Sequence, residues 1–267
     1  MKRAILVAVT IWMGAAQTLS FEVASIKANN TGTPQFGTMR FWPGGRYTAS
    51  NVTLKTLVES AYHIVSNRGF VTGGPSWVDT ATFDIEARPM VGAISPSMSD
   101  RERVDASKLM LQRLLTDRFT LVVRRETKSL PIYRLVRAKS GAKLTKATAR
   151  DCAAPSAMCG GFQGGAGYGI DGHTISMLDL SEFLTRFADR VVRDATGLRG
   201  EFDVRTTGWA TSRSSQARDA AATSETIDPN GPSLFTVLEE QLGLKLEPAM
   251  GPVDTIVIER ASRPDDN

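Results

Sequence analysis

The chain has 267 residues and carries 32 basic against 28 acidic side chains, a formal net charge of +4. This near balance, with no cluster of Arg and Lys interleaved with aromatic residues, argues against nucleic-acid binding. The length is enough for one or two domains that bury a substantial core.

The N-terminus has the three-part layout of a secretory signal peptide. Lys2 and Arg3 precede an apolar run over residues 4–16, which ends in small residues. A membrane-spanning helix needs about 20 apolar residues, and this run is shorter. We therefore predict a signal peptide over residues 1–20, cleaved after Ala16 or Ser20. The product is expected to be exported, periplasmic or extracellular, with no membrane span in the mature chain.

Periodicity predicts strands and helices that alternate along the chain. The predicted strands cover residues 21–27, 38–41, 46–50, 82–87, 119–126, 130–138, 169–175, 201–207, 244–247 and 254–261. The predicted helices cover residues 53–64, 100–118, 176–192 and 233–243. Thr53 and Ser176 are expected to be N-caps, and Gly243 is expected to end the last helix.

The order of these elements indicates an internal duplication. Residues 46–62 align with residues 169–185, and the strands ATFDIEA and GEFDVRT follow in both places. We therefore predict an α+β fold of two pseudo-repeated halves, 21–145 and 169–263, with mixed or antiparallel sheets. Each half reads strand–helix–strand–helix–strand–strand. A Cys/Gly-rich linker over 146–168 is expected to join them, and residues 208–231 are expected to form a disordered insertion.

The two cysteines of the chain, Cys152 and Cys159, lie close together within this linker. Export places them in an oxidising compartment, so we predict a disulfide between them. A metal site or free thiols are the alternatives, but a metal site needs further Cys or His nearby and the chain has only His63 and His173. No metal and no cofactor are predicted.

Catalytic signatures such as HExxH, GxSxG and the P-loop are absent from the sequence. Carboxylates remain as weak catalytic candidates: Asp79, Asp84, Asp194 and Asp203. In a hydrolase, some of these acids would converge in a pocket, and at least one would be buried with a raised pKa. The favoured interpretation is structural, because exposed acids on half-buried strands are ordinary.

Three aromatic residues are candidates for ligand binding. Trp42, Tyr47 and Trp77 would form an exposed patch on which sugars or peptides stack. The alternative places Tyr47 and Trp77 in a satellite core, because large aromatic side chains are mostly buried.

Several segments in order resemble one family, including FEVASIK, GGPSWVDTATFDIEA, DATGLRGEFDV and DTIVIERA. The chain resembles the soil-associated family of exported proteins, a bacterial domain of unknown function. The resemblance implies export and this architecture, but no established activity and no catalytic residues. Some members carry the domain fused to an antibiotic-sensor-type membrane peptidase, which implies sensing or binding.

The leading functional prediction is an exported, non-catalytic binding or interaction module. Glycan, peptidoglycan and peptide are the candidate ligands, and the ligand region is expected at the seam between the halves, near GGPSW (73–77) and DATGLRG (194–200). One alternative is a secreted hydrolase that uses an Asp/Glu pair. Another is a sensor or inhibitor module that acts on a membrane peptidase.

Overall fold

The structure, a computed structural model, describes residues 19–29, 37–42, 44–65, 68–95, 97–98, 100–147, 161–210 and 231–265. Residues 1–18 of the predicted signal peptide lie outside the described residues, as do Cys152, Cys159 and residues 211–230 of the predicted insertion.

Strands make up most of the regular structure in these ranges. They are β1 (Phe21–Asn29), β2 (Thr38–Phe41), β3 (Tyr47–Thr53), β4 (Val71–Gly73), β5 (Thr82–Pro89), β6 (Val122–Arg137), β7 (Thr145–Lys146), β8 (Gly161–Gly165), β9 (Gly169–Ile175), β10 (Val191–Asp194), β11 (Phe202–Arg205) and β12 (Leu244–Arg260). The helices are α1 (Leu54–Ala61), α2 (Asp100–Phe119), α3 (Met177–Thr185) and α4 (Leu234–Val237), which continues as a π-helical turn over Leu238–Leu242. A 3-10 turn covers Ser76–Asp79. The predicted α+β class, with mixed and antiparallel sheets, is confirmed.

The chain divides into two compact units. The first comprises residues within 1–62, 74–122 and 259–267, and the second comprises residues within 63–73 and 123–258. These units do not follow the predicted halves, because each half contributes strands to the second unit.

The first unit is an antiparallel sheet covered by two helices. The sheet has the order β1-β5-β3-β2, α1 packs against β3 and α2, and α2 packs against β1. The helix α1 begins where the hydroxyl of Thr53 accepts a hydrogen bond from the backbone N–H of Thr56 at 3.2 Å, as expected of an N-cap. The apolar faces of the two helices supply much of the core, including Leu54, Leu57, Met110, Leu111 and Phe119.

The second unit contains two sheets. One is an antiparallel sheet in the order β7-β11-β9-β8. The other, which we call the central sheet, has the order β10-β6-β12-β4. Its edge strands are short and parallel to their neighbours, since β10 runs parallel to β6 and β4 runs parallel to β12.

The long strands β6 and β12 run antiparallel at the middle of the central sheet. At one end the backbone N–H of Ala138 donates to the carbonyl of Gly243 at 2.8 Å. Further along, the hydroxyl of Thr127 donates to Asp254 at 3.0 Å. The two contacts pair a later residue of β6 with an earlier residue of β12, so the strands are antiparallel. One face of this sheet joins a core with α3 and α4 that includes Tyr133, Leu135, Leu244 and Leu246. The opposite face carries a smaller cluster around Ile132, Val191 and Val253.

Local geometry recurs at positions that the sequence alignment pairs. Asn51 and Thr174 both have positive φ, 55° and 58°, at irregularities in β3 and β9. In each place the backbone N–H donates to an aspartate on the neighbouring strand, to Asp84 from Asn51 at 2.8 Å and to Asp203 from Thr174 at 3.3 Å. The antiparallel sheets of the two units also share one strand order. The duplication itself stays a prediction that these features support.

Four predicted features are different in the structure. The pairs of strands predicted at 119–138 and at 244–261 are the single long strands β6 and β12, which bond to each other at the predicted break in β6, where the hydroxyl of Thr127 donates to Asp254. Part of the predicted Gly-rich linker is β8, which pairs with β9. The helix predicted over 176–192 ends at Thr185, and Val191 instead begins β10.

Residues 208–210, at the start of the predicted disordered insertion, are packed into the fold. Trp209 is buried in the core of the second unit, where its ring meets the ring of Phe187 edge to face at 5.3 Å between centroids. The carbonyl of Trp209 accepts a hydrogen bond from Gly167 at 3.0 Å. An indole buried in this way fixes residues 208–210 to the fold, so they are not part of an exposed loop.

Candidate functional site

A cleft opens on the face of the central sheet that carries Ile132 and Val191. Its volume is about 550 Å³, within the range of pockets that hold small ligands or parts of peptides. All of its lining residues belong to the second unit: Arg68, Gly69, Phe70, Thr72, Lys128, Leu130, Pro131, Asp189, Arg190, Val191 and Thr255.

Strand alternation explains the floor of the cleft. Lys128, Leu130 and Ile132 share one face of β6 because every second side chain of a strand points the same way. The parallel pairing of Val191 with Ile132 brings β10 onto this face. Half-buried Phe70 and Leu130 pack against Ile132, Val191 and Val253, so the floor is apolar.

Positive charge dominates the walls. Arg68, Lys128 and Arg190 line the cleft with one acid, Asp189. The ammonium of Lys128 lies 3.1 Å from Glu126, and the guanidinium of Arg190 lies 3.7 Å from Asp189. Both pairs are solvent-exposed, and such pairs contribute roughly 0–1 kcal/mol because water screens them. An anionic ligand can therefore compete for both cations.

Arg68 holds the wall in place through backbone contacts. Its guanidinium donates to the carbonyl of Thr185 at 3.0 Å and also to the carbonyl of Ala188. These carbonyls follow the last turn of α3, where helix carbonyls lack intrahelical partners. The side chain thus ties the segment before β4 to the segment before β10, and both segments line the cleft.

Tyr133 supports the opposite side of this wall. Its ring is buried in the core, and the guanidinium carbon of Arg190 lies 5.1 Å from the ring centroid. Burial raises the pKa of the Tyr133 phenol, and the hydrogen bond to Asp189 and the charge of that carboxylate raise it further. The phenol stays neutral at physiological pH and orients Asp189 at the edge of the cleft.

The candidate acids of the first unit do not form a catalytic pair. The carboxylate of Asp79 lies 2.9 Å from the ammonium of Lys55 at the surface. Partial burial pushes the pKa of Asp84 up, but hydrogen bonds from the side chain of Asn29, the backbone of Asn51 and the side chain of Ser50 outweigh it. The pKa of Asp84 is therefore lowered, which is opposite to the shift that a general acid requires.

The candidate acids of the second unit are held in turns and in a surface cluster. Asp194 accepts hydrogen bonds from the backbone N–H of Thr196 at 2.9 Å and from its hydroxyl at 2.8 Å, which is the arrangement of an Asx turn. His173 lies between Asp171 and Asp203, 3.5 Å and 3.4 Å away. None of these acids lines the cleft, and the part of the chain that the structure describes holds no group of three or more His, Cys, Asp or Glu that could bind a metal.

The three candidate aromatic residues do not form one exposed patch. Tyr47 has no exposed surface and packs at 4.8 Å from the ring of Phe41. Trp77 is half-buried, with the ring of Phe83 edge to face at 6.1 Å. Trp42 is partly exposed. Tyr47 and Trp77 are thus in the satellite-core environment that the alternative interpretation expected.

Sequence reasoning missed the basic residues of the cleft. Arg68 and Arg190 each lie just before a short edge strand, and Lys128 lies in what was predicted as a break between strands. The available signal was the repeated position of an arginine before an apolar strand, in RGFV (68–71) and RVV (190–192). That signal becomes specific only once β4 and β10 are known to lie in one sheet.

Among the described residues, no helix is long and apolar enough to cross a membrane. No curated protein and no solved structure matches the chain. Residues 55–261, well over half of the chain, match the family described as "Protein of unknown function (DUF3738)", and the chain belongs to that family.

Proposed function

We propose that the chain is an exported, non-catalytic binding module, and that a short peptide with a free carboxylate occupies the cleft on the central sheet. The observation that carries the proposal is the lining of the cleft, in which three cationic side chains face one acid above an apolar floor. Export is part of this proposal, and the signal-peptide pattern of residues 1–20 supports it.

Two properties of the walls favour an anionic group. The ion pairs of Lys128 with Glu126 and of Arg190 with Asp189 lie at the surface, and such pairs are readily replaced. A guanidinium and an ammonium both form charge-assisted hydrogen bonds with carboxylates, and these bonds are about twice as strong as neutral ones. The carboxylate is therefore expected near Arg190 and Lys128, while Arg68 keeps its contacts with the end of α3.

The floor favours a peptide over a neutral glycan. Phe70, Leu130, Pro131 and Val191 offer aliphatic surface and a single aromatic ring. Sugars are usually held by broad exposed aromatic faces, whereas apolar peptide side chains fit a mixed aliphatic floor. Thr72 and Thr255 add hydroxyls beside it, and that of Thr255 already donates to the carbonyl of Glu126.

Calorimetric titration with pairs of short apolar peptides, one ending in a carboxylate and the other in an amide, tests this assignment. We expect the free acid to bind at least tenfold more tightly, since a hydrogen bond to a charged group contributes about 1.5–3 kcal/mol. Arg190→Gln and Lys128→Gln should each weaken binding of the acid about tenfold and leave binding of the amide unchanged.

Lys245→Gln is the matched control, because Lys245 is an exposed lysine of the central sheet that does not line the cleft. Equal affinities for acid and amide, or equal losses in the control and the cleft variants, would contradict the proposal. Co-purification of a membrane peptidase through a different surface would favour the sensor or inhibitor role instead.

A further inference from the structure

One end of the sheet in the first unit gathers exposed apolar and cationic side chains. Because neighbouring strands run antiparallel, β1 and β3 begin at the end where β5 and β2 finish. The loops at this end therefore lie together: residues 19–20, the described part of the turn 42–46, and the loop 90–95. We call this region the N-terminal end of the sheet.

Direct contacts join these three segments. The backbone N–H of Met90 donates to the carbonyl of Ser20 at 3.2 Å, which ties the start of β1 to the loop after β5. Gly45 has a φ of 86°, and a Cβ at that position would lie 2.5 Å from Ile94 and 3.2 Å from Pro89. The turn and the loop thus pack closely against each other.

Apolar side chains project from this end into solvent. Val91 is 90% exposed, Val23 is 61% exposed and Met90 is 44% exposed. Trp42 is also exposed, at 37%, and its indole N–H donates to Thr48 at 3.0 Å, which fixes the orientation of its ring. Met90 and Val91 are adjacent in one loop at this end, and exposed apolar side chains that lie together are typical of an interaction surface.

Arginines surround the apolar residues. The guanidinium carbons of Arg40 and Arg46 lie 4.6 Å and 5.6 Å from the ring centroid of Trp42. Arg88 lies beside Glu86, which also pairs with Arg46 at 3.2 Å. With Glu22 at the start of β1 included, three arginines face two acids. The region is therefore weakly cationic, with apolar residues at its tip.

The sequence before β1 indicates which partner the N-terminal end of the sheet contacts. Residues 4–16 form the apolar run that follows Lys2 and Arg3, and the chain enters the structure at residues 19–20, beside Met90. Before its predicted cleavage, a signal peptide of this kind holds the chain at the exporting membrane, so this end of the sheet lies beside a bilayer when the chain emerges. Trp is enriched at the headgroup level of a bilayer, and each basic residue near an anionic lipid surface adds about 1 kcal/mol.

We propose that the N-terminal end of the sheet docks on an anionic lipid bilayer. Trp42, Met90 and Val91 enter the headgroup region, and Arg40, Arg46 and Arg88 contact lipid phosphates. This surface belongs to the first unit and is independent of the peptide site proposed in the second.

Flotation with vesicles tests the docking, using the protein as recovered from exporting cells. We expect the chain to float with vesicles of phosphatidylethanolamine and phosphatidylglycerol more than with phosphatidylcholine vesicles. Val91→Asp should lower the bound fraction about tenfold, since it removes apolar burial and adds a repelled charge. Arg40→Gln should lower binding to the anionic vesicles about fivefold, and high salt should abolish that difference.

Tyr168→Asp is the control for Val91→Asp, because Tyr168 is 70% exposed in the second unit. A second measurement does not depend on whether residues 1–16 are retained. Spin-labelled lipids should quench the fluorescence of Trp42, which is the part of the signal that the Trp42→Phe variant lacks. No quenching, or equal losses for the two aspartate variants, would overturn the proposal. A dimer that Val91→Asp dissociates, without vesicle binding, would assign the surface to a second copy and overturn it as well.

Discussion

The Asp84 carboxylate is expected to act as a structural lock for an irregularity in β3. One of its oxygens accepts hydrogen bonds from the side chain of Asn29 at 2.8 Å, the hydroxyl of Ser50 at 2.9 Å and the backbone N–H of Asn51 at 2.8 Å. Asn51 has a φ of 55°, a conformation that non-glycine residues adopt at a cost. The carboxylate thus joins β1, β3 and β5 at a strained residue.

The size of the effect follows from these three bonds. Asp84→Ala removes every acceptor, and we expect a loss of about 3 kcal/mol in the free energy of unfolding, since the site is only half-buried. Asp84→Asn keeps an oxygen that can accept all three bonds but removes the charge, so a loss of about 1 kcal/mol is expected. Comparison of the two variants separates the acceptor from its charge.

The charge contribution depends on pH in a defined direction. The pKa of Asp84 is lower in the folded protein than in the unfolded chain, where it is about 4. The stabilisation from its charge is therefore fully present above about pH 4, and it is lost as the pH falls through the lower folded pKa. The difference between wild type and Asp84→Asn should be constant from pH 5 to 8 and should shrink below pH 4.

Urea unfolding, monitored by fluorescence across this pH range, measures both effects. Asp203→Ala is the matched control, because Asp203 accepts a longer hydrogen bond, 3.3 Å, from the backbone of the corresponding residue, Thr174. The loss in the free energy of unfolding should be less than half that of Asp84→Ala, because the other contact of Asp203 is with the exposed side chain of His173 at 3.4 Å. Equal costs for the two alanine variants, or a pH-independent difference between wild type and Asp84→Asn, would refute the reasoning.

Two further predictions concern stability. The hydroxyl of Tyr47 is buried and has no hydrogen-bond partner among the described residues, and burial raises the pKa of its phenol. Tyr47→Phe should therefore stabilise the protein by about 1 kcal/mol in urea unfolding, whereas Tyr133→Phe, which loses the bond to Asp189, should destabilise it. Gly169→Ala should lower the melting temperature far more than Gly197→Ala. Both glycines have positive φ, but a Cβ at Gly169 would lie 2.1 Å from the carbonyl oxygen of Thr206, while Gly197 faces open space. A less stable Tyr47→Phe variant, a more stable Tyr133→Phe variant, or equal shifts in melting temperature for the two glycine variants would contradict these expectations.

The helix starts were predictable because their determinants are local. Thr53 and Ser176 each accept a hydrogen bond from the backbone three residues later, and Ser176 forms a full capping box with Asp179. Gly243 ends the last helix with a φ of 61°, as its position in the sequence indicates. These interactions depend on neighbours in the chain, so composition and spacing are enough to find them.

The elements that were predicted wrongly depend on partners far away in the chain. Thr127 lies at the predicted break between two strands, but its hydroxyl donates to Asp254 of the other long strand, and β6 continues through it. The Gly-rich segment 161–165 has little strand propensity, but β9 provides a complete pairing edge for it. The basic residues of the cleft converge for the same reason, since Arg68 and Arg190 are separated by more than a hundred residues and meet only through the central sheet.

The central sheet beneath the cleft is built from strands of both predicted halves. The strand β4, from the first half, pairs with β12 of the second, while β10, from the second half, pairs with β6 of the first. A duplicated chain would produce such a reciprocal exchange of edge strands, so this arrangement supports the predicted duplication. The long strands β6 and β12 lie between β10 and β4 in the sheet, so the segments before β4 and β10 reach the cleft from its two edges. Each segment brings one arginine, Arg68 or Arg190. Because the guanidinium of Arg68 donates to carbonyls at the end of α3, the carboxylate of the proposed peptide is expected on the Arg190 side of the cleft.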